Sequence, residues 1–77
     1  MATMDASTWL DRFAAAAGVE VPTEEQTEAL LALAGVAAHA SERLAAPLTC
    51  WLAATAGLDP TAALELARSL AGDRGEQ

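Results

Sequence analysis

Residues 22–40 read PTEEQTEALLALAGVAAHA, and this stretch decides the fold. Thr23 and Gln26 have the spacing of a capping box, in which each side chain satisfies the other's backbone donor at the start of a helix. Glu24 and Glu25 place negative charge at the positive end of the helix dipole. Leu30, Leu31, Ala34, Ala37 and Ala38 then recur at helical spacing and supply an apolar face. Gly35 sits mid-helix at a cost of about 1 kcal/mol relative to Ala, and the simplest purpose for it is close approach to a neighbouring helix. The pattern predicts a helix over residues 24–40.

Working outward, the punctuation on both sides is equally plain. Toward the N-terminus, Thr3 or Asp5 can cap a helix over about 4–17 whose inward stripe is Trp9, Leu10, Phe13, Ala14 and Ala17. Gly18 ends it, since glycine adopts the left-handed conformation beyond a helix at little cost, and Val19 stands where the hydrophobic contact of such a stop belongs. Toward the C-terminus the central helix frays within residues 39–46. Pro47 suits a first helical position, so a third helix is expected over about 47–56, with Leu48, Trp51, Leu52 and Thr55 along one side and Gly57 as its stop. Asp59 and Pro60 open a fourth helix, over about 60–71, with Ala63, Leu66, Ala67 and Leu70 inside and Gly72 at its end. Short loops favour antiparallel packing of neighbours. The expectation is an all-α, compact four-helix domain spanning residues 1–72, followed by a disordered tail over residues 73–77.

Composition supports that class. Of the 77 residues 21 are Ala and 11 are Leu, with no Ile and no Tyr, so little β-forming material is present. Alanine favours helix but buries little area, and a chain of this length has a thin stability margin. The formal net charge is −7 and the basic residues are four Arg. Nucleic acid and anionic membrane surfaces are therefore disfavoured as partners, whereas a basic protein surface suits the charge. The single cysteine, Cys50, forms no internal disulfide. No N-terminal signal pattern and no span of about 18–20 apolar residues is seen, and the chain reads as cytoplasmic.

No catalytic constellation stands out, and the chain reads as a non-enzyme without a cofactor. His39 and Cys50 are each the only residue of their kind, too few for a structural zinc site. A His39–Glu42 pair could at most assist a metal site shared between chains. A Cys50–His39 dyad is conceivable, but a mid-helix cysteine is more simply a small packed thiol. Glu24, Glu25 and Glu28 are explained by the helix dipole. Size and acidity suit an acyl carrier, but the Asp-Ser-Leu attachment sequence of carriers does not occur. The one informative segment is His39–Leu48, where His39, Ser41, Glu42 and Arg43 stand just ahead of a helix N-terminus. Free N–H groups there, with Arg43, are the components of a phosphate or carboxylate site. An ordinary helix–helix corner, with solvated charges and Ser41 bonded to local backbone, is the competing reading.

The same segment carries a family resemblance. Trp9-Leu10, Ala38-His39-Ala40-Ser41-Glu42-Arg43 and Ala46-Pro47-Leu48-Thr49 resemble a small actinobacterial helical domain of unknown function. That family is found alone or fused to the C-terminus of molybdenum cofactor guanylyltransferase-like proteins. The chain departs from it at Leu44, where the family carries Pro, and Leu44 lets a helix continue where Pro would help break it. The resemblance implies an accessory role in molybdenum cofactor (molybdopterin guanine dinucleotide) biosynthesis, with a nucleotidyltransferase-like enzyme as protein partner. Two other functions follow from the residues themselves. One is a binder of small anionic ligands at the His39–Arg43 corner. The other is a homodimer packed through Trp9, Phe13 and residues 14–17.

Overall fold

A computed structural model describes residues 4–73. Four helices follow in order: α1 (Ala6–Ala17), α2 (Glu24–Ala40), α3 (Ala45–Thr55) and α4 (Pro60–Asp73). No strand occurs among the described residues, and the domain is all-α with four helices, as its sequence predicts.

The helix boundaries are set by local chemistry. Asp5 caps α1, its Oδ1 accepting from the Thr8 N–H at 2.8 Å. At α2 the Gln26 N–H donates to Thr23 Oγ1 (3.0 Å) and the Thr23 N–H donates to Gln26 Oε1 (2.8 Å), completing the capping box. Asp59 caps α4 by accepting from the Ala62 N–H at 2.8 Å. Gly18 and Gly57 both take φ 77°, and the next residue turns back on the helix. The Val19 N–H donates to the Ala14 carbonyl (2.9 Å) and the Leu58 N–H to the Ala53 carbonyl (3.0 Å). This is the wrapped stop that glycine makes accessible.

Several boundaries and roles differ from expectation. α3 begins at Ala45, two residues before Pro47. The first turn of a helix needs no intrahelical N–H, so proline is tolerated at its third residue as well as its first. Leu44 does not extend α2. That helix ends at Ala40, and Leu44 instead sits in the turn that leads into α3. Gly72 lies inside α4 and lacks the positive φ of Gly18 and Gly57, so it does not end the helix. Asp73, expected to open the disordered tail, is the last residue of α4. Residues 74–77 of that tail, and the alternative cap Thr3, lie outside the described residues. Gly35 has open space where a Cβ would be, so it serves no close helix approach.

The core is built around α2, which packs extensively against both α3 and α4. Its buried line is Ala29, Leu33 and Ala37, and Ala63 is buried on α4. Leu33, 1% exposed, is the one large side chain fully buried among the described residues. Burying it contributes roughly 1.5–3 kcal/mol, while each alanine adds far less. α1 has no comparable contact with another helix, and Ala14 is its buried residue.

The apolar stripes read from the sequence exist, but most face outward. In α1, Trp9, Leu10, Phe13 and Ala17 are exposed. In α3, Leu48, Trp51, Leu52 and Thr55 are exposed, and no residue of that helix is fully buried. In α4, Leu66 and Leu70 are exposed while Ala63 is buried and Ala67 half-buried. In α2 the buried line turns toward Ala29 and Leu33, leaving Leu31 69% exposed. Periodicity identifies which side chains share a stripe, not what the stripe packs against. Here alanines fill much of the helix contact beside Leu33, and many of the large side chains remain outside.

Candidate functional site

The corner between α2 and α3 is formed by ordinary backbone closure. The Ser41 N–H donates to the Ala37 carbonyl at 3.0 Å, and Ser41 leaves the helix at φ −135°, ψ −101°. The Ala45 N–H then donates to the Glu42 carbonyl (2.9 Å) and the Ala46 N–H to the Arg43 carbonyl (3.1 Å). Pro47 has no N–H to give. The first three residues of α3 therefore present no free backbone donor to an anion.

The side chains of the corner are open to solvent. His39, Ser41, Glu42 and Arg43 are all exposed. Glu42 and Arg43 line a broad, open depression with Ala38 and Leu44. Ser41 instead lines a second, apolar hollow of about 220 Å³ with Val36, Thr49 and Leu70 among its walls. His39 lines neither of these. The corner thus offers an exposed guanidinium rather than a closed cradle. Cys50 is half-buried on α3. Among the described residues no group of three His, Cys, Asp or Glu side chains is placed to hold a metal ion, and no helix is long and apolar enough to cross a membrane.

A different feature emerges on the other side of α3. Leu33, Leu52, Leu58, Ala63, Leu66 and Leu70, with alanines and Thr49 between them, line an open groove of about 350 Å³ between α3 and α4. None of its lining residues is charged. Beside it runs the outer stripe of α3, where Leu48, Trp51 and Leu52 are 56%, 66% and 61% exposed. The only side-chain hydrogen bond in this helix is internal, Thr55 Oγ1 donating to the Trp51 carbonyl at 2.9 Å. A sequence signal for this surface exists: residues 44–58 contain no charged residue at all. A solvated helix face normally carries charge, and this helix carries none. α3 is not enclosed.

The wider surface shows the same inversion. Exposed large apolar side chains occur on all four helices, whereas monomeric soluble proteins seldom expose contiguous apolar patches beyond a few hundred Å². No curated protein and no solved structure matches the chain. A family model does match it, over residues 1–77, and the chain belongs to that family, described as a domain of unknown function (DUF6457).

Proposed function

We propose that this domain is a non-enzymatic interaction module that docks onto a partner protein through the outer face of α3. The observation that carries the reading is the uncharged run over residues 44–58 with Leu48 and Trp51 turned to solvent. Tryptophan in an apolar surround is the residue type that most often dominates a protein interface, and the face carries no charge that docking would have to strip of water.

The partner class comes from the sequence resemblance. It is a nucleotidyltransferase-like enzyme of molybdenum cofactor biosynthesis, of the guanylyltransferase-like kind to which similar domains are fused. The net charge of −7 favours a partner with a basic rim around its docking site and a faster approach at low salt. Calorimetry with such an enzyme, purified from the same genome, tests the proposal. Saturable binding is expected, weakened at least tenfold by Trp51→Ala, a loss of about 1.4 kcal/mol or more. Absence of heat at concentrations up to hundreds of micromolar, or binding indifferent to Trp51→Ala, overturns it.

A further inference from the structure

We infer that the α1 ridge and the α3–α4 groove are the two halves of one self-association surface, so that a second copy of this chain lays its α1 into the groove and receives the first copy's α1 in return. The inference goes beyond docking to an enzyme and does not depend on it. Two unpartnered apolar features of opposite shape coexist in the chain. One is convex: Trp9 and Phe13 stand on α1 with ring centroids 6.0 Å apart, tilted by 47°, and Leu10 beside them is also exposed. The other is concave: the groove walled by Leu52, Leu66 and Leu70. They do not fill each other within the chain, since α1 makes no extensive contact with α3 or α4.

Area favours a second copy as the occupant. Exchange about a two-fold axis buries the ridge and the groove of each copy together, because in such an interface each patch meets its counterpart twice. The exposed surface of these six large side chains is on the order of 600–700 Å² per chain, close to the roughly 800 Å² that one partner contributes to an interface of standard size. The groove lining is uncharged and the α1 ridge is flanked by one charge of each sign, Asp11 and Arg12, so two chains of net charge −7 bring no excess of like charge into the contact itself. Their repulsion acts at longer range and is screened by salt. Raising ionic strength therefore tightens self-association, the opposite of its effect on docking to a basic partner.

The test is sedimentation equilibrium of the purified chain alone over a range of concentrations and salt. The expected result is a shift from the 7.9 kDa monomer mass to twice that value, at lower concentration in higher salt. Phe13→Glu on the ridge and Leu66→Glu in the groove each weaken the dimer at least tenfold. Both positions are exposed, and unchanged helical circular dichroism verifies that the variants fold. Mixing the two variants restores association, because the pair retains one intact ridge-in-groove contact that neither variant has by itself. A strictly monomeric mass up to millimolar concentration overturns the inference. So does a dimer that survives both substitutions, or a mixture that fails to recover.

Discussion

α2 and α3 are both rich in apolar residues, yet they play opposite parts. α2 carries acidic residues on its exposed first turn, a complete capping box and the fully buried Leu33. α3 is uncharged, has no side-chain cap and buries no residue fully. Its half-buried residues include Ala46, Thr49, Cys50 and Ala53, and it presents Leu48, Trp51 and Leu52 to the outside. Apolarity therefore does not by itself mean burial in the chain's own core. Where alanine fills much of the helix contact, large side chains are left exposed.

The sharpest way to break this comparison is at Leu33. Leu33→Ala removes the one large side chain that is fully enclosed among the described residues, and the expected loss is about 2–5 kcal/mol. Against a typical total of about 5–15 kcal/mol, much of the protein should be unfolded in mild urea, as read by circular dichroism. Retention of parental stability would show that α2 is not the spine of the fold.

Two glycine substitutions of opposite sign come next. Gly18→Ala forces an L-residue into φ 77°, which costs about 1–2 kcal/mol and should lower the unfolding midpoint. Gly35→Ala places a methyl in open space on a regular helix and should stabilise by roughly 0.5–1 kcal/mol. Equal effects at the two sites would contradict the assignment of one glycine to a left-handed stop and the other to an exposed helix face.

The smallest effect concerns pH. The Thr8 backbone N–H, and then its side chain, hold the Asp5 carboxyl below its ordinary 3.8. A carboxylate lowered on folding stabilises above its unfolded value and loses that contribution as pH falls through the lower, folded value. The start of α1 should therefore fray as the pH is taken below 3.8, detectable as a loss of amide protection relative to the intrinsic exchange rate in that turn while α2 stays protected. Fraying of α1 as pH rises would reverse the sign of the argument.

Much of the fold is legible in the sequence because its signals are local. Thr23 with Gln26, Asp5, Asp59, Gly18 and Gly57 each act on a few neighbouring residues, and each stands in the role that its chemistry predicts. The facing of the helices is less legible, since whether Trp9 or Trp51 points in or out depends on which helix lies beside it. Gly72 and Pro47 mislead for a related reason: glycine is a stop only where the chain needs a positive φ, and proline tolerates more than one place in a first turn. The exposed face of α3 has a sequence signature, the uncharged run over residues 44–58. Periodicity alone assigns its large side chains to the core. The His39–Arg43 corner stands out by residue type, but the free donors its chemistry would need are closed by the carbonyls of Glu42 and Arg43.

The central claim is that the large apolar side chains of α3 are surface rather than core. Urea unfolding of a Leu48→Ser, Trp51→Ser double variant, measured beside Leu33→Ala under dilute, monomeric conditions, tests it most directly. The structure predicts a stability within about 0.5–1 kcal/mol of the parent, as for surface substitutions elsewhere. A loss of about 3 kcal/mol or more, comparable with Leu33→Ala, would contradict it, because only enclosed side chains destabilise a fold that much.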